Sequence, residues 1–481
     1  MNWQPPTAET PGRGRRLGIL LICCMSLFIV GLDITAVNVA LPTIGRDLGA
    51  GVSGLQWTVD AYTVVMASLL LFAGSMADRL GRKRTFVTGL TVFSVASLLC
   101  SLAPTVELLI AARVLQAVGG AMLNPVAMSI IANTFTDPRE RAQAVGVWGA
   151  VFGVSMALGP LVGGAMATSF DWRAIFWINV PLGVAAVALT LRFVPESKAP
   201  CARRFDPLGQ AAVLVLLAAL TFGIIEAPVR GWTSPGILTA FAAAAAALLT
   251  LLRHEPRRSE PLVDLRFFRS IPFAAAIAIS VAAFAAFGGF LFLNTLYLQD
   301  VRGLLPLQAG LATLPMAVMT VVASPLSGRI VGRRGPRLPL AIAGASLLVA
   351  CATLTGIGPG TPLPLVLATY AVFGLGFGFV NAPITNAAVS GMPRAQAGVA
   401  AALATTSRQV GQTLGVAVVG AIAASHAGAS AGPGAWWALA ACGGVVLVLG
   451  LVATSGRARA SARRTAVALN PEALVAQPGV G

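Results

Sequence analysis

The sequence predicts an all-α integral membrane protein of fourteen spans, two six-helix bundles with two additional helices between them and both termini cytoplasmic. Three observations predict it. Apolar runs of about 20 residues recur along nearly the whole chain, each long enough to cross ~30 Å of hydrocarbon as a helix. The chain is 57% hydrophobic and only 10% charged, whereas a soluble domain carries about 25% charged residues to cover its surface. Its 33 lysines and arginines also fall mostly on one side of the predicted spans.

Taken in order, the spans cover 17–42, 55–76, 85–103, 106–132, 142–168, 173–193, 208–228, 234–252, 271–298, 307–328, 338–357, 363–390, 398–425 and 435–455. Barrel strands are excluded, because they alternate and need only about 10 residues. With both termini on one side, 27 of the 33 cations lie there. Four (Arg46, Arg173, Arg230, Arg302) lie opposite, and Arg113 and Arg408 lie inside spans. Such a bias orients helices during insertion, so the basic side is cytoplasmic. The net charge of +16 is then a topology signal, and a nucleic-acid partner is not expected. Arg13, Arg15 and Arg16 precede a run too long for a signal peptide, which is read as the first span. Five cysteines (Cys23, Cys24, Cys100, Cys351, Cys442) fall in spans and Cys201 in a cytoplasmic loop. That placement gives neither a disulfide framework nor metal-ligand spacing. Lysine occurs only at Lys83 and Lys198, a composition typical of a GC-rich bacterial genome, so the expected location is a bacterial cytoplasmic membrane.

The loops leave no room for a soluble domain. The expected division is a cytoplasmic tail (1–16), a first bundle (17–193), linker loops with two bland helices (194–270), a second bundle (271–456) and a tail (457–481). A short repeat supports it. GSMADRLGRKR (Gly74 to Arg84), after the second span, aligns with GRIVGRRGPR (Gly328 to Arg337), after the tenth. Arg79 falls on Arg333 and Gly81 on Gly335, while Asp78 meets Gly332. Six-helix repeats with a binding site near the midplane are a transporter architecture.

Charges inside the membrane are costly unless paired or hydrated, so each is a functional candidate. At 1.5 Å per residue, Asp33 lies ~13 Å below the outer end of its helix and Arg113 ~9 Å below the same surface. The two can approach each other in the first bundle. Asp33 is read as the proton-carrying acid and Arg113 as the cation that controls it; the alternative is a permanent ion pair locking two helices. Asp60, about one turn inside its span, contacts proton or substrate or is a solvated interfacial acid. Glu226 is read as solvated.

Helical spacing places Arg113, Gln116, Gly120 and Asn124 on one face of the fourth span. Similar stripes are Asp60, Thr63, Ala67 and Gly74 in the second, Gly374, Gly378, Asn381 and Thr385 in the twelfth, and Thr405, Arg408, Gln412 and Gly415 in the thirteenth. With Asn38, their polar members are the expected cavity lining; helix–helix hydrogen bonding is the plainer use. No carboxylate lies in the second bundle's spans, so Arg408 faces a substrate anion, a backbone carbonyl or no identified partner. The two histidines, His254 and His426, stand near no partner, which argues against a membrane enzyme. No GxxxxGK[ST] phosphate loop occurs, so a gradient rather than bound ATP is the expected energy source.

Four motifs occur in order: LDITAVNVALP (Leu32 to Pro42), GSMADRLGRKR, RVLQAVGGA (Arg113 to Ala121) and GVSMALGPLVGG (Gly153 to Gly164). TSRQVGQTLG (Thr406 to Gly415) follows in the second half. Together they resemble the fourteen-helix drug:proton antiporters of the major facilitator superfamily (the EmrB/QacA type). The resemblance implies a monomer in the bilayer that exports small amphipathic or hydrophobic drug-like molecules by alternating access. The proton is its coupling ion, and no cofactor is implied. Conformational switching is assigned to Gly74, Asp78, Arg79, Gly81 and Arg82, and the antiporter motif to Gly153, Gly159, Pro160, Gly163 and Gly164. Asp78 can serve a helix N-terminus or pair with an arginine, and Gly81 permits a sharp turn. Gly149/Gly153 and Gly159/Gly163 have the spacing for close helix approach, and Pro160 favours a kink. The alternatives are export of an endogenous metabolite or siderophore, a proton symporter, a membrane enzyme, and a sensor without flux.

Overall fold

The structure, a computed structural model, describes residues 12–198, 206–258, 261, 264–390, 394–425 and 432–469. Cys201, His426 and both chain ends of the expected tails lie outside the described residues. Among the described residues every regular element is a helix. The first half comprises α1 (Arg13–Leu48), α2 (Val52–Leu80), α3 (Arg82–Ser101), α4 (Val106–Thr134) and α5 (Pro138–Ser169), then α6 (Ala174–Trp177) running on into α7 (Asn179–Phe193). Next come α8 (Pro207–Arg230) and α9 (Pro235–His254). The second half comprises α10 (Ile271–Leu296) with a π-helical extension (Tyr297–Val301), α11 (Pro306–Ala312), α12 (Leu314–Arg334), α13 (Arg337–Leu354), α14 (Leu363–Val389), α15 (Arg394–Ala424) and α16 (Pro433–Ala453). A last helix, α17 (Gly456–Leu469), occupies the start of the expected tail.

Among the described residues, twelve helices or continuous helix pairs are long and apolar enough to cross a membrane. α2 makes a thirteenth, bending by 52° between Val52–Leu70 and Phe72–Leu80. Helix ends follow local chemistry. Asp137 accepts from the N–H groups of Arg139 and Glu140 to start α5, with Pro138 in the first turn where no intrahelical donor is lost. Gly81 closes α2 with φ of 112° and Gly335 closes α12 with φ of 79°. Both are backbone conformations that a side chain resists. The two aligned loops of the sequence repeat therefore turn on the same residue.

Packing repeats as well. α1 lies on α5, α2 on α4, and α3 on α7; α10 lies on α15, α12 on α14, and α13 on α16. Each half thus pairs its first helix with its fifth, its second with its fourth and its third with its sixth. α8 and α9 form a hairpin whose α8 leans on α2 and α15. His254 at the end of this hairpin does have a partner, contrary to expectation. Its Nε2 lies 3.0 and 3.1 Å from the two oxygens of Asp206, which also caps α8 through the Gly209 N–H. Burial pushes the Asp206 carboxyl up, but the Gly209 N–H, His254 and Arg258 outweigh it and hold the group below its ordinary value. Sequence spacing hid the contact because 48 residues separate the pair.

Candidate functional site

Asp33, in the middle of α1, and Arg113, on α4, are each 1% exposed. Arg113 Nη1 donates to Asp33 Oδ2 at 2.5 Å. Gln116, one turn on, donates to Asp33 Oδ1 at 2.9 Å, and Asn179 at the start of α7 donates to the same oxygen at 3.2 Å. Ser97 of α3 accepts from both amides and donates to the Phe176 carbonyl of α6. The guanidinium is satisfied too: Nε donates to the Thr58 backbone carbonyl at 3.1 Å and Nη1 to Gln116 Oε1 at 2.6 Å, and its carbon stands 4.2 Å from the Tyr62 ring centre. A buried ion pair persists when its remaining donors and acceptors are filled in this way. Every one of these groups belongs to the first half, so rigid rocking of one half against the other leaves the cluster intact.

Asp60 differs. Gln56, Asp60 and Thr63 share a face of α2 that meets Gln409, Thr413 and Ala417 on α15 of the other half. Thr413 Oγ1 donates to Thr63 Oγ1 at 2.8 Å, and Gln56 Nε2 to the Ala417 carbonyl at 3.0 Å. Asp60 is 0% exposed. Thr63 Oγ1 donates to its Oδ1 at 3.4 Å, while Oδ2 has no partner. Among the described residues no cation pairs with it. It is therefore not a solvated interfacial acid, because α15 covers the face on which it lies. Glu226 is half-buried rather than freely solvated; it accepts from Ser53, Trp57 and Arg230 at 2.7, 3.0 and 2.9 Å and ties α8 to α2.

Arg408 lies on α15, turned toward α10 and α14. Its Nη2 donates to Thr385 Oγ1 at 2.9 Å, and its guanidinium carbon is 5.7 Å from the Phe284 ring centre. Gln412, one turn on, packs against Gly288 of α10. Asn381 is half-buried one turn before Thr385, whose hydroxyl donates to the Asn381 carbonyl. The other expected lining residues sit apart: Asn38 is buried and bonds back to the Ile34 carbonyl at 2.7 Å, and Asn124 is half-buried on α4 outside the Arg113 cluster.

The halves are pinned at the end of the bundle that carries Pro42. Gln299 Nε2 donates to the Val39 carbonyl at 2.6 Å, and the Leu307 N–H donates to Thr168 Oγ1 at 3.1 Å. Here the glycines of α5 are needed. A β-carbon at Gly163 would lie 2.7 Å from the Ala36 carbonyl oxygen of α1, and one at Gly164 2.5 Å from that of Pro306. Gly159 abuts Thr35, and the Pro160 carbonyl abuts Gly310 of α11. By contrast, β-carbons at Gly149 and Gly153 would meet nothing within 4 Å. That pair makes no close approach, because the stretch of α5 around it, with Gly146, Val147, Gly149 and Ala150 exposed, lies away from the seam.

At the opposite end, Asp78 pairs with Arg82 at 3.1 Å within its own loop. The N-terminus of α3 is served by Glu196 instead, which accepts from the N–H groups of Lys83 at 3.1 Å and Arg84 at 3.3 Å. The Arg82 N–H donates to the Ser197 carbonyl at 2.9 Å. Gly74 is half-buried facing Pro125, and Arg79 is exposed.

The sequence profile of the Major Facilitator Superfamily matches residues 23–416. The chain belongs to that superfamily. It is 36% identical over 414 residues to the multidrug resistance protein Stp of Mycobacterium tuberculosis, covering 86% of this chain and 77% of that one. It is 37% identical over 424 residues to the methylenomycin A resistance protein of Streptomyces coelicolor, covering 86% and 88%. Among solved structures, the peptide transporter POT in complex with sulfate has the same fold, with a TM-score of 0.66 over 92% of this chain and 95% of that one at 17% identity. As a superfamily member, the chain is a multi-pass helical transporter of the cell membrane.

Within this superfamily fold, sequence reasoning missed Ser97, Asn179, Tyr62 and Glu196. Asn179 is an amide inside an apolar run, the same signal that singled out Asn38 and Asn124. Glu196 is one of two acids, with Asp206, in a loop that also contains Lys198, Arg203 and Arg204.

Proposed function

We propose that the chain is a fourteen-span, proton-driven exporter of small amphipathic or hydrophobic molecules, working as a monomer with both termini cytoplasmic. The observation that carries export is similarity over most of the chain to proteins named for multidrug resistance, antibiotic resistance and drug efflux. Orientation rests on the basic loops: the Asp78 end faces the cytoplasm and the pinned Pro42 end faces outward. Substrate then enters between the halves from the cytoplasm or inner leaflet, and rocking opens the outer seam.

For coupling, the geometry favours Asp60 over Asp33. A group that exchanges protons with alternate sides must change its surroundings when the halves move. Asp33 keeps all its partners in one half, whereas Asp60 lies under the α2–α15 seam with an oxygen free to carry a proton. Separation of Thr63 from Thr413 exposes that carboxyl, and re-closure shelters it again. Asp33 and Arg113 act as the pin that keeps α1, α3, α4 and α7 moving as one body. The proton is the coupling ion.

The test is expression in an efflux-deficient bacterial host across a panel of antibiotics and dyes. The expected result is raised resistance to several of them, lost on addition of a protonophore. Unchanged susceptibility throughout, or net inward movement in vesicles, would overturn the export reading.

A further inference from the structure

The wall built by α10, α14 and α15 has donors without acceptors. Arg408 Nε and Gln412 Nε2 are both buried with no hydrogen-bond partner, one helical turn apart. Gln412 is 3% exposed. Among the described residues, no carboxylate oxygen lies within the 4.0 Å of an ion pair with Arg408. Among the described residues, the one side-chain oxygen that the guanidinium reaches is neutral Thr385 Oγ1. Arg408 is half-buried, and a guanidinium whose Nε is shut off from water without an acceptor is destabilising unless something supplies one. Next to it is a buried aromatic cluster: the ring centres of Phe284 and Phe377 are 5.2 Å apart, and Phe287 stacks on Phe377 at 4.2 Å.

We infer that Arg408, with Gln412, forms a subsite for an acidic oxygen group, and that the exporter takes aromatic amphiphiles carrying a carboxylate or an equivalent anion. This deepens the export reading and rests on it. The guanidinium offers its planar fork to the acid, as in other arginine–carboxylate recognition. The Gln412 amide supplies a further donor, and the phenylalanines receive the ring system. An anionic lipid headgroup has the same acceptor chemistry, so the test separates the two.

The purified chain in phosphatidylcholine nanodiscs is titrated with dansylglycine, which bears a carboxylate, and with dansylglycinamide, its neutral counterpart. Wild type is expected to bind the carboxylate at least about tenfold more tightly, equivalent to ~1.4 kcal/mol. Arg408→Gln brings the ratio of affinities close to one, and Arg408→Lys, which keeps the charge and guards against a folding artefact, retains most of the preference. Equal wild-type affinities, no binding of either probe, or a preference that survives Arg408→Gln overturns the subsite. Loss of the preference on adding phosphatidylglycerol overturns it in favour of a lipid site. Proton-driven export of the antibiotic and dye panel by wild type is measured in parallel. If members of the panel are exported while dansylglycine shows no preference, the subsite alone fails; if none is exported, the export reading falls with it.

Discussion

Replacing Asp33 by Asn leaves Arg113 charged in a site closed to water. Removing one member of a buried ion pair costs about 3–5 kcal/mol, chiefly because the other charge is stranded. Here part of that is recovered. Arg113 keeps the Thr58 carbonyl, the Gln116 oxygen and the Tyr62 face, and a sheltered cation–π contact is worth up to about 2 kcal/mol. The new amide can still accept from Gln116 and Asn179, but its NH2 group points at the guanidinium or displaces one of those donors. The expected loss is therefore near the lower limit, about 3 kcal/mol. It is read from SDS-induced unfolding in detergent, followed by tryptophan fluorescence, for Asp33→Asn, Arg113→Met and the double variant. The double variant should be less destabilised than the sum of the singles by about 2–3 kcal/mol. Strict additivity, or an Asp33→Asn protein as stable as wild type that has lost only its proton coupling, would refute the pin and return the proton to Asp33.

Other expectations follow from the same geometry. Gly164→Val presses a side chain against the Pro306 backbone, so cysteine labelling from outside should show the outer seam open in a larger fraction of molecules. Gly153→Ala meets open space and should change stability by no more than about 0.5 kcal/mol; equal effects at both positions would contradict the assignment. Glu196→Leu removes the acceptor at the start of α3 and is expected to lower stability by about 0.5–2 kcal/mol, as capping losses do. An Asp78→Asn protein that loses the same stability in the same unfolding assay would move the cap to Asp78.

Much of the fold was legible because apolar length and the distribution of cations are properties of single segments. The Asp33–Arg113 contact was legible for a similar reason: both residues stand out as charges in apolar helices, and the helical rise fixes their depth. What the sequence concealed depends on packing between segments. Asp60 reads as an interfacial acid until α15, some 350 residues away, is laid over it. Ser97 and Asn179 have chemistry common to many buried helices, and only their convergence on one carboxylate distinguishes them. The same holds for α5, where six glycines look alike in sequence and only those near Pro160 meet another backbone.

Proton coupling depends most on Asp60. A potential of 100 mV and a gradient of one pH unit together supply about 3.7 kcal/mol per proton, enough for a roughly 500-fold ratio of a neutral substrate. Purified wild-type and Asp60→Asn proteins in sealed vesicles are compared for uphill accumulation under that gradient and for exchange of labelled substrate without it. Asp60→Asn is expected still to exchange substrate but to hold a ratio near one. Accumulation by Asp60→Asn equal to that of wild type would contradict this expectation.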